Sequence, residues 1–291
     1  MSTPLEENQP EEIIPPKNVR YLERNIAERA RAERSTVGKL KSLVANLVVC
    51  QMLPPSAVKG GTGLKLRLGE NLTRQTPDLD TAFRGNMKEF EEQLRENLNS
   101  GWGDFTGAVI SGIPRAPASV PAAYVMRPFA VKLQYRKKPF TTVELEVGFD
   151  ELEATEELTE TALSAELVET FVALGLPQPN PVPVLPLHHQ VSQKLHACTE
   201  PGSQRAHDLV DLQLMEDLAD DVLVAETVER LFRFRRQHEW PAHAVSTKEW
   251  ETLYADAALG LEQVVLPTVG GAIKWLNDEY IPRIVAAGRN S

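Results

Sequence analysis

Two aspartates separated by one residue, Asp78 and Asp80, are the sharpest chemical feature of this chain. On a β-strand, residues two apart project from the same face. Carboxylates held side by side repel one another unless a cation sits between them, and a divalent ion with oxygen ligands, such as magnesium, is the usual one. A solvated Asp-Leu-Asp loop after Pro77 is the plainer reading of the same residues. Upstream stands Gly60-Gly61-Thr62, behind a short apolar lead. Glycines let backbone N–H groups approach a polyphosphate, and a hydroxyl can join them. The G-x-x-x-x-G-K-[ST] spacing of a P-loop is absent. A third carboxylate comes from Glu146 on a strongly alternating segment, with Glu144 on the same face as its rival. Later in the chain, Lys194 precedes Asp208 and Asp211, which share a face if helical. A buried structural ion pair and a held triphosphate-binding lysine both fit that set.

The elements that must position these residues are legible in part. Val19, Leu22, Ile26 and Ala30 recur at helical spacing, and Ser35-Thr36 can cap a second helix with Leu40, Leu43, Val44 and Leu47 on its apolar face. A further helix is expected from Asn86 to Leu98. Val131–Tyr135 and Thr142–Phe149 alternate with period two and read as strands, with Lys137-Lys138-Pro139 as the turn between them. From Ser164 onward the pattern is helical, crossed by an extended segment bearing Pro177, Pro179, Pro181, Pro183 and Pro186. Helices are expected over 222–236, 248–262 and 273–287. The division predicted is a disordered tail at 1–17, an α/β domain at 18–150 and a helical domain at 151–291.

Composition sets the outer bounds. A chain of 291 residues with 42% hydrophobic and 25% charged content has enough material for a buried core. It contains no apolar run of membrane-spanning length, and its acidic N-terminus does not resemble a signal peptide. Cys50 and Cys198 form no CxxC pair, which fits a reducing cytoplasm. The net charge of −10 opposes nucleic-acid binding as a whole. The charge is segregated, however. Residues 17–41 carry eight basic and three acidic side chains, and Arg230, Arg233, Arg235 and Arg236 form a second basic knot. His196, Trp250 and Trp275 read as packed residues, and the two cysteines as buried thiols.

Taken in order, the glycine turn, Arg74-x-Thr76-x-Asp78-x-Asp80, a strand ending Leu145-Glu146-Val147-Gly148-Phe149, Gln193-Lys194-Leu195-His196-Ala197, and Asp208-Leu209-Val210-Asp211-Leu212 resemble the AbiEii-type nucleotidyltransferases. These are toxins of bacterial toxin–antitoxin and phage-defence systems. The resemblance spans about residues 40–215. It implies an α+β fold: a polymerase-β-like nucleotidyltransferase domain with a mixed sheet, followed by a helical domain. It further implies that Asp78 and Asp80 are the catalytic pair that holds magnesium, that Gly60, Gly61 and Thr62 cradle the nucleotide, and that Lys194, near the triphosphate, and Asp211 are catalytic. Beside these, the residues themselves point to Glu146 completing the magnesium site, as a further ligand or the general base, and to Arg74 binding the nucleotide by offsetting phosphate charge. The substrate would be a nucleoside triphosphate such as CTP, and the acceptor the 3′ end of transfer RNA. Aminoacylation would then be blocked and growth arrested, with a cognate antitoxin on a separate chain. Two departures stand out: His207 occupies a position where the family commonly has arginine, and Gly63 one where alanine is usual. The alternatives are transfer to a protein or small-molecule hydroxyl, and a catalytically silent binding protein of the same fold.

Overall fold

The computed structural model describes residues 13–33, 35–114, 125–156 and 161–289. Two capped helices open it. In α1 (Val19–Ala32) the Asn18 side chain accepts from the N–H groups of Arg20 and Tyr21, and in α2 (Val37–Cys50) Thr36 accepts from Lys39 N–H. Strand β1 (Ala57–Lys59) runs directly into α3 (Gly60–Leu68), and β2 (Leu79–Phe83) follows. After α4 (Met87–Ser100) come β3 (Phe105–Ser111), β4 (Arg127–Tyr135) and β5 (Lys138–Phe149). The β4–β5 turn places Arg136 and Lys137 at φ 47° and 62°. It is a two-residue hairpin turn with both centres left-handed, one position earlier than the expected turn.

These five strands form one mixed sheet in the order β1-β2-β5-β4-β3, with β2 parallel to β5 and the other pairs antiparallel. Alternation on β5 divides its residues cleanly. Val143, Leu145 and Val147 are buried, whereas Glu144 and Glu146 face outward. The buried face packs on α1, α2 and α4, where Phe90 meets Phe129 and Phe83. Strand β3 carries no alternation that sequence reading could detect, because Gly107 and Ala108 interrupt it; its pairing with β4 creates it.

The back half begins with β6 (Thr161–Ala162), α5 (Ala165–Ala173) and β7 (Val182–Pro183), then α6 (Leu187–Thr199), α7 (His207–Met215), α8 (Asp221–Arg235), α9 (Trp250–Ala258), α10 (Val269–Trp275) and α11 (Ile281–Arg289). The proline-rich stretch does not cross as a loose linker. Val184 bridges to Val58 beside β1, and Leu185 N–H donates to the Val58 carbonyl.

The two main hydrophobic clusters exchange near residue 185. Leu167, Phe171, Leu174, Leu176 and Val182 belong to the same cluster as the sheet. A second cluster gathers Val191 to Ile284, including Trp250 and Trp275, and Leu64 of α3 enters it. Of the expected tail, residues 1–12 lie outside the described residues. Residues 13–17 are anchored, since Pro16 is buried and its carbonyl accepts from the Tyr135 hydroxyl at 2.8 Å. Among the described residues, no helix is long and apolar enough to cross a membrane.

Candidate active site

The sheet register assembles one charged row. Lys59 of β1 pairs with Asp80 of β2, and Asp80 pairs with Glu146 of β5. Cross-strand partners lie on one face about 5 Å apart, so a lysine and two carboxylates from three strands stand side by side. In this register Glu146 is beside Asp80, and Glu144 is one pleat back, opposite Ala130. Asp78 just precedes the strand and is exposed. Burial and the neighbouring Asp80 charge both raise its pKa, and Arg74 partly offsets them.

The glycine turn is fitted to Asp80. Gly60 has φ +63°, and a Cβ there would lie 2.3 Å from Asp80 Oδ2. Both conditions demand glycine. A Cβ on Gly61 would meet Thr76 at 2.9 Å. These residues form the first turn of α3, whose N-cap, Lys59, makes no side-chain capping bond. Amide N–H groups at a helix start favour anions. Thr62 is turned toward the loop that carries the first aspartate. It is 4% exposed, and its hydroxyl donates to the Asp78 carbonyl at 2.8 Å. Through this bond Thr62 anchors the loop that carries Asp78.

A second charged group lies behind the first. Lys194 of α6 donates to Asp208 and Asp211 of α7 at 2.7 and 2.6 Å, and both aspartate side chains are fully buried. Arg205 donates to Asp208 at 2.8 Å, and Arg74 Nε donates to both Asp211 oxygens at 2.9 and 3.1 Å. Burial opposes ionisation of each aspartate, but Lys194 with Arg205 on one and Arg74 on the other outweighs it and holds both well below the usual carboxylate range. Burial likewise pushes the Lys194 pKa down, and the two aspartates more than reverse it. Lys194 is therefore held by paired carboxylates inside the fold. Arg74 links the two groups, bonded to Asp211 while its charge acts on Asp78.

Arg205, whose charge also senses Asp80, explains the departure at 207. From three residues upstream it brings a guanidinium to Asp208. His207, 3.7 Å from the same carboxylate, is pushed down to about 4, chiefly by burial, and is neutral near pH 7. Sequence reading missed Lys59, because a single lysine ahead of a glycine pair carries no local signal. It also treated the basic knot at 230–236 as one surface. Arg235 instead forms a bidentate pair with Glu151 at 2.6 and 2.9 Å, and Arg233 pairs with Glu229. A cavity of about 870 Å³ between α8, residues 237–241 and α11 has none of these aspartates in its lining.

The donors on the sheet face are hard oxygens suited to magnesium. Asp78 and Asp80 repel one another there as a metal-binding pair would. No group of three such side chains already converges on one point among the described residues.

The family model described as "Nucleotidyl transferase AbiEii toxin, Type IV TA system" matches residues 42–275. The chain belongs to this family. It is a nucleotidyltransferase of the toxin–antitoxin class. Among solved structures, it is similar to MenT4, the nucleotidyltransferase toxin Rv2826c from Mycobacterium tuberculosis H37Rv, at 17% identity and TM-score 0.51, with 91% of this chain and 88% of that chain covered. A weaker likeness, at 16% identity and TM-score 0.39, is to JHP933 from Helicobacter pylori, over 85% of this chain and 88% of that one. No curated protein sequence matches the chain. The matched segment contains the glycine turn, Asp78, Asp80, Glu146, Lys194 and Asp211, and the mixed α/β architecture agrees with the expected fold.

Proposed function

We propose that this enzyme transfers a nucleotide from a nucleoside triphosphate to the 3′ hydroxyl of transfer RNA in the cytoplasm, releasing pyrophosphate, blocking aminoacylation and arresting growth. The observation that carries the reading is the fit of the Gly60 turn to Asp80, beside Glu146 on the next strand. A nucleotide-cradling turn and a carboxylate row then share one face of the sheet. Asp78 and Asp80 would hold magnesium, with Glu146 as the third oxygen ligand. The ion would offset phosphate charge and favour ionisation of the attacking hydroxyl. The chain's own residues do the rest. The first turn of α3 receives the polyphosphate on its N–H groups. Thr62 fixes the loop that carries Asp78, and the Lys194 group fixes Arg74 against it. The acceptor oxygen bonds to the α-phosphorus, the bond from that phosphorus to its bridging oxygen breaks, and the electron pair leaves on pyrophosphate. The hydroxyl proton passes to solvent.

The test is magnesium-dependent incorporation of each of the four labelled triphosphates, CTP included, into total RNA, protein and small-molecule fractions. Label confined to transfer RNA, and lost with Asp80→Ala, is the expected result. Label in protein or in a small molecule would replace the acceptor, and no incorporation under any condition would overturn the reading. The family implies an antitoxin partner. We assign it to a separate chain, so that co-expression restores growth.

A further inference from the structure

The interior lysines of this protein are of two kinds. Lys194 touches two carboxylates, and Lys65 lies 2.7 Å from Glu70. Lys59 has no carboxylate at that range among the described residues; its ammonium lies 4.0 Å from the Met126 thioether, a weak acceptor. The fold nonetheless fixes where it goes. Lys59 ends β1 opposite Asp80, so its side chain rises on the face shared with Asp80 and Glu146. The side chain then lies over β5 at Gly148, where a Cβ would come within 2.9 Å of the ammonium nitrogen. Burial pushes its pKa down, Asp80, Glu151 and Glu146 pull it back from a distance, and Arg235 opposes them. A desolvated ammonium without a contacting carboxylate gains strongly from an anion brought in from outside. The residue that follows is Gly60, the start of the turn assigned to the nucleotide.

We propose that Lys59 is the lysine that contacts the polyphosphate, donating to its non-bridging oxygens in the bound triphosphate and then in the departing pyrophosphate. It acts as a hydrogen-bond donor and makes no covalent bond. Lys194 is a positioning residue, tied to Asp208 and Asp211. This inference rests on the nucleotide site proposed above.

The probe is magnesium pyrophosphate, titrated calorimetrically into wild type, Lys59→Met and Lys59→Arg, with melting temperatures taken on the same preparations. Removing one charge-assisted hydrogen bond should weaken binding about tenfold or more in Lys59→Met. The melting temperature should stay level or rise, because a desolvated charge has been removed, and Lys59→Arg should recover most of the affinity. Wild-type affinity in Lys59→Met would overturn the proposal. So would a lower melting temperature with unchanged affinity in the folded fraction, which is what a purely structural lysine predicts. If Lys59→Met does not fold, Lys59→Gln is read by the same two criteria. Failure of the site itself looks different: wild type would then bind neither pyrophosphate nor any of the four triphosphates with magnesium.

Discussion

The sheet edge and the α6–α7 pair hold the same kinds of side chain in opposite states. On the sheet, Lys59, Asp80 and Glu146 stand in one cross-strand row, and Asp78 and Asp80 repel. Between α6 and α7, Lys194, Asp208 and Asp211 are locked at hydrogen-bond distance and closed off by Arg74 and Arg205. Burial explains the contrast. Charges out of water persist when paired and hydrogen-bonded, and α7 buries both its aspartates completely. Charges left under-compensated at an accessible edge are poised for a ligand that completes them. A lysine and aspartates near a nucleotide site are therefore not all nucleotide ligands. Some support the frame that aims the others.

The sharpest way to break this comparison is Lys194→Met. It leaves Asp208 and Asp211 facing each other with fewer cations, at a cost of about 3–5 kcal/mol for a broken buried pair. A large drop in melting temperature, with pyrophosphate affinity kept in the folded fraction, is expected. An unchanged melting temperature with lost binding would return Lys194 to the triphosphate. Asp80→Ala should do the reverse, lowering nucleotidyl transfer on the order of 10²–10³-fold, about 3–4 kcal/mol of barrier. It should not lower the melting temperature, because it removes one of two repelling carboxylates. Glu146→Gln should impair transfer more than Glu144→Gln, since only Glu146 is in register with Asp80.

Gly60→Ala comes next. A left-handed backbone at a residue with a side chain costs about 1–2 kcal/mol, and the new methyl would strike Asp80. Thermal unfolding should show the first effect and transfer rate the second, so a variant stable yet fully active would remove the turn from the site. The remaining test is of pH. His189 and His207 are both pushed down to about 4, chiefly by burial. Between the ordinary value of 6.5 and 4, the unfolded chain takes up protons that the folded chain refuses. Stability therefore falls as pH falls through that window, by up to about 1.4 kcal/mol per pH unit for each histidine. Melting curves from pH 7.5 to 5 should show this slope, and His207→Asn should flatten it.

Much of the scaffold was legible because its signals are local. The helix caps at Asn18 and Thr36, the alternation of β5 and the glycine turn before a helix each depend on a few neighbouring residues. The sequence by itself also determined which carboxylates could share a face, since the spacing of Asp78 and Asp80 and of Glu144 and Glu146 settles that in a strand. Only tertiary structure decided how those residues are used. The choice of Glu146 came from the parallel register of β2 on β5. The place of Lys59 came from an antiparallel pairing with β2 that no local pattern announces. The ion pair of Arg74 with Asp211 joins residues 137 positions apart. Periodicity is written within one turn or one pleat. The partner of a charge is set by where distant segments of chain meet and exclude water, and that decides whether a lysine is spent within the fold or left for a ligand.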